Sequence, residues 1–189
     1  MLVSVADPLG SVLAFGRETH TETPRILIGG VGYTCLRDGS FGAVLVDRLC
    51  QRSWPDGVLV EDLSYGPIDV LFRFQSTEPL DAAVFVGAVS RGRVPGRLYA
   101  TERVDEARSA DDLQVRVGEA LTGVVSLDNL LAILQHFRAL PERVLVLELE
   151  PVDTNWGEVM SEGASGCLDQ AADLIAAYVC DQMQRGAAP

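Results

Sequence analysis

The sequence predicts an α/β protein with a mainly parallel sheet. Two observations carry that expectation. Short, nearly unbroken apolar runs recur at Ile26–Ile28, Val58–Val60, Ala82–Val86 and Val144–Leu149, as strands buried on both faces require. Between them lie longer segments whose apolar residues repeat at helical spacing, and strands alternating with helices build layered α/β folds. A chain of 189 residues, 48% hydrophobic and 22% charged, suits one globular domain with a full core and no need of staples.

Residues 1 to 24 end in Thr-Glu-Thr-Pro and read as an N-terminal extension. Val3, Val5, Val12, Leu13 and Phe15 suit a short strand or hairpin there. The α/β domain is expected over residues 25–185. Its first strand, Ile26-Leu27-Ile28, is expected to end at Gly29-Gly30. A helix follows from about Gly39 to Arg52, with Phe41, Val44, Leu45 and Leu49 on one face and Asp47, Arg48 and Arg52 on the other. Trp54-Pro55-Asp56-Gly57 is turn chemistry. Val58 to Asp62 is the second strand, and Pro67 opens a short helix to residue 75. Ala82–Val86 is the third strand. An Arg- and Gly-rich loop closes at Pro95-Gly96 before a strand from Arg97 to Thr101. Residues 103 to 120 are acidic and weakly periodic, and no element is assigned to them. Ser126 is placed to cap a helix reaching Arg138, with Leu127, Leu130, Leu131, Leu134 and Phe137 as its stripe. Val144–Leu149 is the next strand, stopped by Pro151. The last helix, about 166 to 184, carries Leu168, Ala171, Ala172, Ile175, Tyr178, Val179 and Met183 on one face.

Charge narrows the functions. There are 27 acids against 15 bases, a net charge of -12, which disfavours nucleic acid and anionic membrane as partners. Every base is Arg, so Lys-based chemistry of the Schiff-base or P-loop kind is excluded. No apolar run approaches the ~20 residues of a membrane span, and no basic segment leads into a long apolar stretch. A soluble, cytoplasmic protein is expected. Cys35, Cys50, Cys167 and Cys180 form no CxxC and read as free, buried thiols. The two histidines, His20 and His136, limit any imidazole chemistry.

Gly30-Val31-Gly32 follows a strand, and Glu61 and Asp62 end the next one. A dinucleotide site is built this way. However, Cys35 stands at the third glycine's place and the connection to the helix is too long. A nucleotide- or small-molecule-binding protein using Gly30, Gly32 and Glu61 is kept as an alternative.

The run from Ile26 through Gly30-Val31-Gly32 to Asp38-Gly39 and Gly42 resembles the opening of the hydrogenase maturation endopeptidases. In that family a strand ends in Gly-x-Gly-Asn, then come two acids and a Gly-x-Gly at the first helix. Asp81 to Gly96 is similar to the family's third strand, acidic ligand, loop and Pro-Gly. Residues 121 to 149 resemble its His-bearing loop, helix, Pro turn and strand, and Glu148 to Ser161 its stretch before the last helix. The resemblance covers residues 25 to 184. It implies a three-layer α/β/α sandwich on a twisted, mostly parallel five-stranded sheet. It also implies a role in nickel-iron hydrogenase assembly, where the family removes a C-terminal extension from the nickel-loaded large subunit. The family's ligands are two carboxylates and one His.

Aligned on those motifs, the first carboxylate falls on Gly39, the second on Gly87 and the His on Gly123. Glycine offers no side chain to a metal. Two acids stand as possible substitutes. Asp38 matches the family's first acid and lies where a helix N-terminus favours a carboxylate. Asp62, with Glu61, ends a strand at the edge where parallel sheets gather their sites. His136 falls about 180° from Leu127 around its helix and is expected to face solvent. His20 lies in the extension, and Cys35 is a lone thiol. The expectation is therefore a maturation peptidase-like binding or assembly protein without peptidase activity, with no cofactor, whose partner is a hydrogenase large subunit or another assembly factor. The alternative within the family is an active nickel-dependent endopeptidase with a rebuilt ligand set.

Overall fold

The computed structural model describes residues 23–102 and 109–186. The strand or hairpin expected before residue 16, and His20, lie outside them. Eleven elements follow in order: strand β1 (Ile26–Val31), a short 3-10 turn (Arg37–Ser40), helix α1 (Phe41–Leu49), β2 (Val58–Asp62), α2 (Pro67–Ser76), β3 (Ala82–Ala88), β4 (Arg97–Glu102), α3 (Ala110–Leu121), α4 (Leu127–His136), β5 (Arg143–Glu150) and α5 (Glu162–Gly186).

The strands form one five-stranded sheet in the order β2-β1-β3-β5-β4. The first four are parallel neighbours; β4 runs antiparallel beside β5, with Arg97 opposite Glu150. The reason is local. The link between β3 and β4 contains no helix, and a parallel return needs a crossover of a dozen or more residues.

Period-two alternation sends each strand's side chains to two cores. Ile26, Ile28, Val84, Val86, Leu145 and Leu147 pack under α1 and α5. Leu27, Ala83, Phe85, Val144 and Val146 pack under α2, α3 and α4. Both faces are covered, which explains the unbroken apolar runs. The three-layer sandwich expected from the sequence is the one observed. No helix of the described residues is long and apolar enough to cross a membrane.

Several boundaries move. β1 does not stop at Gly29-Gly30 but runs through both to Val31. A Cβ on Gly30 would lie 2.2 Å from the Gly42 carbonyl oxygen and one on Gly29 2.4 Å from the Leu63 side chain, so these glycines admit close neighbours, at Gly30 the helix backbone itself, rather than break the strand. The first helix is split, with a 3-10 turn before α1. In the acidic stretch left unassigned, α3 forms, capped by Ser109, whose hydroxyl accepts from Asp112 N at 3.1 Å. α5 starts at Glu162, earlier than the apolar periodicity indicates, because Ser161 Oγ caps it by accepting from Ala164 N at 3.2 Å. The cysteines are free, but only Cys167 is buried; Cys35, Cys50 and Cys180 are exposed. Cys50 follows the last residue of α1, and Cys180 lies outside the apolar stripe of α5. Burial pushes the Cys167 thiol above its ordinary pKa.

Candidate functional site

In a parallel sheet the loops that can build a site gather where the strands end. Here those are the loop after β1, the β3–β4 loop, the turn between α3 and α4, and the segment from Pro151 to Ser161. The fold brings Gly39, Gly87 and Gly123 to this end.

Gly87 pairs in register with Val31 at the end of β1. A Cβ there would lie 3.2 Å from the Val31 carbonyl oxygen and 3.3 Å from Leu127 at the start of α4. Gly39 accepts a hydrogen bond from Tyr33 N at 3.0 Å. The Tyr33 hydroxyl in turn accepts from Val125 N at 2.8 Å, tying the first loop to the turn that carries Gly123. Gly123 has φ +84° with open space where a Cβ would stand. It ends α3, donating to Ala120 O at 3.1 Å, and the left-handed conformation favours glycine at such a terminus.

Asp38 is fully buried. Its Oδ2 accepts from Val152 N at 2.8 Å, Asp153 N at 3.1 Å and Ser161 Oγ at 2.8 Å, and its Oδ1 from Ser161 N at 2.7 Å. One carboxylate thus holds both ends of the 151–161 loop. Arg37 adds a bond to Asp153 at 2.8 Å, and the Arg37 and Gly157 N–H groups bind across to Gly157 and Cys35 carbonyls at 2.8 and 2.9 Å. The spacing Asp38…Ser161 gave no hint of this, since more than a hundred residues separate them.

Asp62 serves a different loop. Its Oδ1 accepts from Ser64 N at 2.9 Å, and Ser64 Oγ accepts from Gly32 N at 3.0 Å. Glu61 pairs with Arg73. Gly32 is also closely packed, since its Cβ would lie 2.5 Å from the Gly39 carbonyl oxygen. His136 is exposed, as its helical position predicts, and meets Phe137 edge-on.

A network the sequence reading missed covers the end of β5. Glu148 and Glu150 fall on the α4 side of the sheet by alternation from Val144 and Val146. Arg91 grips Asp128 with two bonds of 3.0 and 2.5 Å and Glu148 with two of 2.7 and 3.5 Å. Arg93 bonds Glu148 at 2.7 Å and Glu150 at 3.2 Å while stacking on Tyr99 at 4.0 Å. Burial would raise the pKa of Glu150, but the Arg91 and Gly92 N–H groups and the Arg93 guanidinium outweigh it and hold the group below its usual range. Arg91 is held charged by its Glu148 hydrogen bonds, above its ordinary value. The signal was available as Arg91-Gly92-Arg93 and Glu148-x-Glu150, but only the β3–β5 pairing brings them together. Among the described residues no three His, Cys, Asp or Glu side chains form a group that would hold a metal ion.

A mostly parallel five-stranded sheet covered by helices on both faces is the fold of solved hydrogenase maturation peptidases. A hydrogenase 2 maturation peptidase from the Thaumarchaeota archaeon SCGC_AB-539-E09 matches at 23% identity, covering 82% of this chain and 97% of its own, with TM-score 0.55. The hydrogenase maturating endopeptidase HybD from E. coli matches at 20% identity over 83% and 93%, with TM-score 0.62. The [NiFe] hydrogenase maturation protease HycI from Thermococcus kodakarensis KOD1 matches at 22% identity over 82% and 92%, with TM-score 0.59. No family model and no curated protein sequence matches the chain.

Proposed function

We propose that this protein is a divergent member of the hydrogenase maturation peptidase family that binds a hydrogenase large subunit, or another assembly factor, without cutting it. The observation that carries the reading is the presence of Gly39, Gly87 and Gly123 around the ends of β1 and β3, where the family resemblance places two carboxylates and an imidazole. The described residues do not fit a divalent ion, which needs free oxygen or nitrogen donors. Asp38 already accepts four hydrogen bonds, and Asp128, Glu148 and Glu150 are bound by Arg91 and Arg93. Asp38 and Asp62 serve separate loops rather than one site. The dinucleotide alternative loses support because Gly30 and Gly32 are filled by close packing and the Gly32 N–H is taken by Ser64.

The test mixes the purified protein with a nickel-loaded large-subunit precursor. Co-elution with the precursor's C-terminal extension intact by mass spectrometry is expected. A mass drop equal to the extension would overturn the reading and return the protein to the active peptidases.

A further inference from the structure

The loop from Pro151 to Ser161 combines a firmly tied backbone with large exposed apolar side chains. Trp156 is 79% exposed and Val159 80% exposed, with Val152 also exposed. Exposed apolar side chains add little to the protein's own core, and ordering the loop that carries them costs conformational entropy. Yet this loop is clamped at both ends by the buried Asp38. Its middle is bound to Cys35 and Arg37 through Gly157, and Arg37 Nε donates to the Trp156 carbonyl at 3.4 Å. Gly157 has φ +152°, a backbone conformation that residues with side chains rarely adopt, so the clamp depends on glycine there. The indole is thus presented on a fixed backbone, which lowers the entropy lost on binding. Tryptophan in such a place is the residue type that most often anchors an interface.

The charges beside it specify the partner. Glu158 and Glu162 flank Trp156 and Val159 and are exposed. The Arg37 guanidinium, which donates to the Trp156 carbonyl, is held by Asp153. The chain as a whole carries a net charge of -12. A surface of indole and valine edged by carboxylates is complementary to a segment that is apolar and cationic.

We propose that the 151–161 loop is a docking site for a cationic, apolar chain segment of a partner protein, with Trp156 as its anchor and Glu158 and Glu162 as its charge selectors. The proposal specifies the chemistry of the partner segment within the non-cutting reading above, and rests on that reading only for there being a protein partner.

The full-length protein supplies its own probe. It has two tryptophans; Trp54 is half-buried, its Nε1 donating to Leu49 O at 2.9 Å, so most of the emission sensitive to quencher comes from Trp156, and Trp156→Ala gives the remainder. The titrant is a short peptide of alternating arginine and leucine, with a glutamate–leucine peptide as its counterpart. The arginine peptide is expected to shift emission to the blue and protect it from acrylamide. Trp156→Ala, followed with a labelled peptide, is expected to weaken binding roughly tenfold. The double variant Glu158→Gln/Glu162→Gln is expected to weaken it and to flatten its salt dependence. Glu142→Gln/Asp173→Asn makes the same charge change at exposed positions away from the loop and is expected to bind as the parent does. Equal weakening by that control, equal binding of both peptides, or unchanged affinity in Trp156→Ala would each overturn the proposal. Removal of the large-subunit extension would sink the non-cutting reading and leave these results unchanged, so the two fail separately.

Discussion

Replacing Asp38 is the sharpest perturbation the structure offers. The carboxylate is fully buried and accepts three backbone N–H groups and one hydroxyl at 2.7–3.1 Å. In Asp38→Ala the Ser161 hydroxyl can turn to another acceptor, but the N–H groups of Val152, Asp153 and Ser161 lose theirs. A buried donor left unpaired costs ~1–3 kcal/mol. Water entering the cavity recovers part of that, so a loss of about 3–5 kcal/mol is expected. Against a typical domain stability of ~5–15 kcal/mol this is a large fraction. Asp38→Asn keeps one acceptor oxygen and is expected to cost about half as much. Urea unfolding followed by circular dichroism gives the global value, while Trp156 emission reports the loop. A loss below ~1 kcal/mol in Asp38→Ala would refute the clamp. If the variant kept its stability and also abolished a processing activity of the parent, Asp38 would be a ligand or catalytic group instead.

Three further outcomes are expected. Gly30→Ala sets a Cβ 2.2 Å from a backbone oxygen of α1 and should cost ~1–3 kcal/mol or more, whereas Gly118→Ala, in open space on α3, should stabilise by up to ~1 kcal/mol; thermal unfolding that ranks them the other way would contradict the packing described. Ser126→Ala removes the hydroxyl that accepts from Asn129 N at 3.1 Å and should lower stability by ~1 kcal/mol, read as a shift in the urea midpoint. The pKa of Glu150 is lowered by the Arg91 and Gly92 N–H groups and Arg93 against the effect of burial, and that of Asp153 by Asn155 and Arg37. The folded state therefore binds fewer protons than the unfolded one at these groups. Their contribution is present above the unfolded value of ~4 and is lost as pH falls through the folded values. Melting temperature should drop in that acid range, and Glu150→Gln should make the drop shallower; parallel curves for parent and variant would refute the assignment.

Local and periodic information was enough for the architecture. Unbroken apolar runs such as Ala82–Val86 indicate strands buried on both faces, and the stripe from Leu127 to Leu134 indicates a helix with one buried side. Both signals lie within a few residues, so they survive without knowledge of the fold. α3 escaped because its buried face is small, with only Ala120 fully covered, and its acidic residues hide the period. Gly29-Gly30 misled because a glycine that admits a close neighbour has the same letter as one that ends a strand.

The candidate site divides in the same way. The sequence alone determines that Gly39, Gly87 and Gly123 carry no donor side chains and that the chain is acidic and free of Lys. Only the tertiary structure decided which acids are already bound. Asp38 meets Ser161, and Arg91 meets Asp128 and Glu148, through contacts between residues far apart in the chain. Such contacts arise from strand order and register, and a carboxylate's availability to a metal or a partner depends on them rather than on its neighbours in sequence.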